Sequence, residues 1–140
     1  MIVYLIRHAR AERRSEWEGD DSLRPLDERG RRQADRLNAQ LAGRDFRRIL
    51  SSPFDRCVQT VVPLAQSRGL VIERDDALAE GAGSEAGLRL LRDAGEAVVA
   101  CVHGDLIEEL LGEKAKKGAT TVLELTTNGV EVLERLPPPA

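Results

Sequence analysis

The chain has 140 residues and only two histidines, and each histidine follows a short apolar run. His8, with Arg7 beside it, comes directly after residues 2–6, and His103 comes directly after residues 97–102. Such runs of branched apolar residues are typical of strands buried in a parallel sheet. Ligands of these sheets bind outside the carboxyl ends of the strands. We therefore expect both histidines to face one crevice, where an imidazole can act as a nucleophile or carry a proton.

A further arginine lies where a short apolar run, residues 48–51, passes into a predicted helix. Arg56 falls in the first turn of that helix, where the helix dipole disfavours a cation. An arginine at this position suits an anion that also binds the free N–H groups of the helix N-terminus. A surface ion pair is the alternative interpretation of Arg56.

Two more positions complete the candidate set. Glu80 lies between the third apolar run and the following helix, and a carboxyl group in a buried anionic site can act as a general acid. A solvated loop glutamate is equally compatible with the sequence. Gly104 follows the second histidine, where a glycine lets the backbone approach a ligand and the next helix offers free N–H groups.

Length and charge limit the classes to which the chain can belong. Its 140 residues suffice for one domain with its own core, to which we assign residues 1–136, followed by a proline-rich tail at 137–140. The net charge of −3 argues against nucleic-acid binding through bulk charge. Local charge instead predicts a small or local anion as partner, because the segment after the first strand collects five arginines: Arg7, Arg10, Arg13, Arg14 and Arg24.

Cysteine use and hydropathy bear on the location of the protein. Cys57 and Cys101 match neither a disulfide framework nor a zinc-binding pattern, so we expect both to be small core residues. The N-terminus shows no leader pattern, and no apolar run approaches the length of a membrane span. We therefore expect a cytoplasmic protein that does not bind membranes.

The order of apolar runs and helical patterns predicts an α/β fold. Strands expected at 2–6, 48–51, 70–73 and 97–102 alternate with helices expected at about 27–43, 53–68, 84–92 and 105–111. This alternation predicts a three-layer αβα sandwich with a mostly parallel sheet. Asn128-Gly129 lies between two further apolar runs and predicts an antiparallel hairpin at the C-terminal edge. Pro63 is expected to kink or split its helix, and Ser84 is expected to cap the next one.

These residues together resemble the histidine phosphatase superfamily, which has the phosphoglycerate-mutase-like fold. The resemblance covers about residues 2–111, and residues 25–34 are similar to the start of that family's first helix. As a set the motifs are highly specific. They are Arg7-His8, Ser51-Ser52-Pro53, Arg56, Glu80 and His103-Gly104.

The resemblance implies a phosphatase mechanism. His8 is then the neutral nucleophile that takes the phosphoryl group and later releases it to water. Arg7, Arg56 and a protonated His103 hold the phosphoryl oxygens and stabilise the developing charge. Glu80 is the candidate for donating the leaving-group proton. Because arginine and histidine supply the positive charge, we expect no metal and no other cofactor.

The resemblance leaves the substrate more open than the chemistry. Ala9 stands where a glycine usually follows Arg-His, and this variant is similar to the short SixA-like phosphohistidine phosphatases. Residues 17–27 resemble the phosphatase domain fused to some actinobacterial Nudix hydrolases. We expect a protein phosphohistidine as substrate, with a nucleotide or other small phosphorylated metabolite as the alternative. The residues predicted to bind it are Arg10, Arg14, Ser52 and Gly104.

A non-catalytic regulatory domain is the alternative from another class. It would keep the phosphate pocket as a regulatory binding site and have no turnover. The presence of all four primary residues, Arg7, His8, Arg56 and His103, disfavours this alternative.

Overall fold

The computed structural model describes residues 1–140 and contains six strands, β1 (Ile2–Arg7), β2 (Arg48–Ser51), β3 (Ile72–Arg74), β4 (Val98–Val102), β5 (Thr120–Leu125) and β6 (Val130–Leu136). They form one sheet in the order β3-β2-β4-β1-β5-β6. Strands β3, β2, β4 and β1 run parallel, whereas β5 and β6 pair antiparallel. The predicted parallel sheet with an antiparallel edge hairpin is confirmed.

Four helices cover the two faces of the sheet: α1 (Glu28–Gln40), α2 (Asp55–Arg68), α3 (Ser84–Asp93) and α4 (Gly104–Leu111). Alternation along β1 sends Tyr4 and Ile6 into a core with α1 and α2, and sends Val3 and Leu5 into a core with α3 and α4. This is the predicted three-layer arrangement. None of the helices has both the length and the apolar character that a membrane span needs.

Several element boundaries differ from the sequence-based expectations. Strand β3 begins at Ile72 rather than at residue 70, because the N–H of Leu70 donates to the carbonyl of Ala65 at 3.0 Å and completes the C-terminal turn of α2. Pro63 lies within α2 without splitting it. The residue that precedes α3 as its N-cap is Gly83 and not Ser84, which is the first residue of the helix.

The long polar segment after β1 is ordered by contacts rather than by periodicity. It contains two short 3-10 helices, Arg14–Glu16 and Asp21–Leu23, which the sequence did not predict. At its end, Asp27 caps α1 by accepting from the N–H of Gly30 at 2.7 Å. A Cβ atom at Gly30 would lie 1.8 Å from the carbonyl oxygen of Arg10, so only glycine lets α1 approach this backbone. That approach holds α1 against the segment that follows the first histidine.

Candidate active site

The carboxyl ends of β1, β2 and β4 bring the predicted site residues to one edge of the sheet. The N–H of His8 donates to the carbonyl of Val102, and that of Ser52 donates to Cys101, each at 3.0 Å, so strand pairing continues past the strand ends. The rings of His8 and His103 consequently face each other, with their centroids 5.5 Å apart and their planes at 65°. The two histidines lie side by side at this edge of the sheet; His8 lines the cavity described below, whereas His103 is buried beside it.

The ring of His8 is held in one tautomer. Its Nδ1–H donates to the carbonyl oxygen of Ala9 at 2.8 Å, which leaves the lone pair on Nε2. The pKa of His8 is lowered to about 3, mainly by burial and in addition by the nearby groups of His103, Arg56 and Arg7, while the hydrogen bond to Ala9 opposes this shift. His8 is therefore neutral near pH 7, with an unprotonated nitrogen available for attack.

Ala9 fits its position without the conformational freedom of glycine. No residue other than glycine has a positive φ, so the backbone at Ala9 is ordinary. Its methyl group packs in a small cluster with Leu26 and Ala34. Its N–H donates to Thr60 Oγ1 at 2.9 Å, and that hydroxyl donates to the carbonyl of Arg56 at 2.7 Å. Alanine in place of the glycine usual in the superfamily thus adds a packed methyl group and is compatible with the hydrogen bond that orients His8.

His103 is held from one side of its ring. Its Nε2 lies 2.8 Å from Ser52 Oγ and 3.5 Å from Cys57 Sγ, while Nδ1 is buried and has no partner. Ser52 is fully buried behind the ring, where its Oγ also accepts from the N–H of Phe54 at 3.2 Å. We predict Ser52 from the sequence to bind substrate, but the structure places it against His103 and away from the cavity, in a position to orient the ring.

Arg56 is fully buried and sits at the centre of a charged network. Its Nη2 donates to Glu80 Oε2 and to Asp21 Oδ2, each at 3.1 Å, and its Nη1 donates to the carbonyl of Asp21 at 2.9 Å. Glu80 also contacts Arg14 at 3.4 Å. The structure thus brings Glu80 to the buried arginine, but its side chain is 37% exposed and lies between two arginines, not in the buried anionic site that the sequence analysis expects. The contact of Asp21 with Arg56 was not foreseen, because Asp21 lies in the polar segment that has no helical or strand periodicity.

Asp21 is held as an anion by its arginine neighbours. Burial alone would raise the pKa of this carboxyl, but hydrogen bonds and charge interactions with Arg24 and Arg56 outweigh it and the net effect is a lowered pKa. Arg24 is itself buried and donates to Asp21 Oδ1 at 2.9 Å and to the carbonyl of Glu12 at 2.7 Å. This pair ties the polar segment to the site.

Gly104 supports Arg7 directly. A Cβ atom at Gly104 would lie 2.9 Å from the guanidinium carbon of Arg7, so a larger residue would force this guanidinium to shift. Arg7 Nη1 donates to the carbonyl of Ala115 at 2.7 Å, while its Nε is buried and has no partner. Burial lowers the pKa of Arg7, and the carboxylates of Glu80 and Asp105 partly offset this. The close approach at Gly104 is therefore to the side chain of Arg7, whereas the sequence predicts a close approach to a ligand.

These residues surround a cavity of about 700 Å³. Arg7, His8, Arg56, Glu80 and Gly104 line it, as do the predicted substrate-binding residues Arg10 and Arg14. Its other charged residues are Glu12, Arg13, Arg24, Asp105, Glu108, Lys114 and Lys117. The last four of these lie on α4 or in the segment that follows it. The cavity thus holds eight cationic side chains and four carboxylates, an excess that favours a polyanionic ligand. The two lysines were missed because their segment reaches the cavity only through the pairing of β5 with β1.

The neutral state of His8 predicts a specific pH dependence of stability. Between pH 6.5 and about 3, the unfolded chain binds a proton at His8 that the folded protein excludes, so stability falls as pH falls. Replacing His8 by Asn removes this effect. We expect the free energy of unfolding, measured in urea at a series of pH values, to fall less steeply for His8→Asn, by up to about 1.4 kcal/mol per pH unit. Identical slopes for the two proteins would contradict the neutral assignment.

The chain is similar in sequence to known phosphatases. A sequence model of the histidine phosphatase superfamily (branch 1) matches residues 3–90. An 8-oxo-(d)GTP phosphatase of Mycolicibacterium smegmatis is 37% identical over 155 aligned positions, covering 98% of this chain and 48% of that protein. The chain therefore spans about half the length of this curated relative.

Solved structures share the fold over nearly the whole chain. The protein histidine phosphatase SixA, solved with tungstate, has a TM-score of 0.81 and 25% identity, covering 99% of this chain and 97% of its own. A mycobacterial glucosyl-3-phosphoglycerate phosphatase solved with VO3 has a TM-score of 0.76 and 18% identity, covering 99% of both chains. The latter similarity is one of fold alone. These matches confirm the resemblance and the fold inferred from the motifs.

Proposed function

The chain belongs to the histidine phosphatase superfamily, and on this premise we propose that it is a metal-independent phosphatase that works through a phosphohistidine on His8. The observation that carries the proposal is the state of His8. Its Nδ1–H is bound to the carbonyl of Ala9, so the neutral ring presents the lone pair of Nε2 beside Arg7, Arg56 and His103. A neutral nucleophile next to fixed positive groups is the arrangement that phosphoryl transfer requires.

In the first step, His8 Nε2 attacks the phosphorus atom and the bond from phosphorus to the leaving oxygen breaks. The phosphoryl oxygens bind the guanidinium groups of Arg7 and Arg56 and the Nδ1–H of a protonated His103. Arg7 Nε and His103 Nδ1 are buried without a partner, so phosphoryl oxygens would satisfy these two donors. Arg56 would exchange its contacts with Asp21 and Glu80 for contacts with the phosphoryl group.

In the second step, water attacks the phosphorus atom and the bond to Nε2 breaks, which releases phosphate and restores His8. Glu80 is the proposed acid in the first step, giving its proton to the leaving oxygen, and the proposed base in the second, taking a proton from the water. Its two oxygens accept from Arg56 and Arg14. Substrate binding at Arg56 would free one of them to carry the proton.

For the substrate, we favour a small molecule that carries more than one phosphate, such as a nucleoside polyphosphate. One phosphoryl group engages Arg7, Arg56 and His103, yet the cavity also presents Arg10, Arg14 and other cations. Its only apolar side chains are two alanines, so recognition would act on the phosphates rather than on a base. The curated relative named an 8-oxo-(d)GTP phosphatase supports this class.

A protein phosphohistidine is the second candidate. It is supported by the similarity to SixA, a protein histidine phosphatase, over nearly the whole length of both chains. The positive charge of the cavity favours the first candidate, because a phosphohistidine presents one phosphoryl group and a nucleoside triphosphate presents three.

The mechanism predicts that His8 is required and that chelation has no effect. Phosphate release from p-nitrophenyl phosphate should continue in excess EDTA and should fall at least a thousandfold in His8→Ala. Glu109→Ala, an exposed change on α4 outside the cavity, is the matched control and should retain wild-type turnover. Turnover that persists in His8→Ala would overturn the mechanism.

The substrate proposal predicts a preference that depends on charge at the cavity mouth. We expect kcat/KM for a nucleoside triphosphate to exceed that for a phosphohistidine peptide at least tenfold. Lys117→Gln should lower the first value about fivefold, with little effect on the second, since one exposed ion pair contributes up to about 1 kcal/mol. Lys117→Arg keeps the positive charge and should keep the wild-type preference for the nucleoside triphosphate. A preference for the peptide in the wild type would instead favour the second candidate.

A further inference from the structure

A second concave surface lies beside the catalytic cavity, along α1. It has a volume of about 660 Å³, and six of the ten residues lining it are cationic. We call this surface the basic groove and define it by those six residues: Arg10, Arg29, Arg32, Arg36, Lys116 and Lys117. Arg10 and Lys117 line both the catalytic cavity and the groove. The two spaces are therefore neighbours that share two of their cations.

The helix contributes three of these cations from one face. Arg29, Arg32 and Arg36 are spaced by three and four positions, which places them side by side along α1. Like charges at this spacing destabilise a helix, so the arrangement is unfavourable for folding alone. A ligand that carries repeated negative charge would relieve this repulsion.

Most of the charge in the groove is uncompensated. Arg10 pairs with Asp27 at 2.8 Å and Arg32 pairs with Glu28 at 3.2 Å. The other four cations, Arg29, Arg36, Lys116 and Lys117, form no ion pair, and the terminal carboxylate of Ala140 is the one anionic group in the lining of the groove. The groove is therefore more uniformly positive than the catalytic cavity, which has carboxylates of its own.

We propose that the basic groove binds the distal phosphates of a linear polyphosphate chain whose terminal phosphoryl group lies at His8. The inference rests on the proposed function, because it takes His8 as the point of transfer. An extended chain would pass from one space to the other over Arg10 and Lys117, the two cations that line both. The groove has no aromatic side chain on which a nucleobase would stack, whereas arginine is well suited to phosphate oxygens.

Binding measurements test the groove separately from catalysis. The affinities of orthophosphate and of a long linear inorganic polyphosphate are measured by calorimetry, in the wild type and in His8→Ala, which prevents turnover. We expect the long chain to bind at least tenfold more tightly than orthophosphate, and more weakly as salt is added. The double variant Arg29→Gln/Arg36→Gln should lose about tenfold in affinity for the long chain and less than twofold for orthophosphate.

A matched double variant separates local charge from bulk charge. Arg47→Gln/Arg89→Gln removes the same charge from exposed residues that lie outside the groove, before β2 and on α3. It should bind the long chain as the wild type does. Equal losses in the two double variants would overturn the proposal, and so would a polyaspartate peptide that binds more tightly than polyphosphate. A groove that binds polyphosphate while His8→Ala keeps its phosphatase turnover would retain the binding site and reject only the catalytic role of His8.

Discussion

The site depends on one buried imidazole that the protein keeps neutral. His8 lies at the end of β1 with Arg7, Arg56 and His103 around it, and burial together with these positive groups lowers its pKa to about 3. A proton on His8 would add another positive charge that water cannot solvate. The same groups that disfavour a cation on His8 favour a phosphoryl group beside it, since the phosphoryl oxygens are negative. A single electrostatic arrangement therefore supports both the nucleophile and the group that it attacks.

The charged network around Arg56 links this imidazole to the polar segment that follows it. Asp21 accepts from both Arg24 and Arg56, and Arg24 is anchored in turn to the backbone of Glu12. The segment has little apolar surface to bury, so these charge-assisted hydrogen bonds give it a defined path. Because Asp21 and Glu80 accept from the terminal nitrogens of Arg56, this buried guanidinium is oriented before a substrate binds.

The sequence predicted the parts of the site that lie at strand ends, and the reason is geometric. Parallel strands bring their carboxyl ends together, so residues after β1 and β4 meet without any further information. Asp21 and Lys117 could not be predicted in this way, because each reaches the site through a connecting segment whose course depends on tertiary contacts. Ser52 was placed at the correct strand end, but the side to which it points depends on packing around His103. Strand β3 begins later than predicted for a local reason, because the N–H of Leu70 takes part in the C-terminal turn of α2.

Trapping of the covalent intermediate is the most direct test of this account. The wild-type enzyme is mixed with a labelled phosphate ester in EDTA, quenched rapidly in base, and digested for mass spectrometry of the phosphorylated peptide. The account predicts a transient, acid-labile phosphoryl group on His8, formed and lost at rates that match turnover. Turnover with no phosphorylated peptide, or with the label on a residue other than His8, would contradict it.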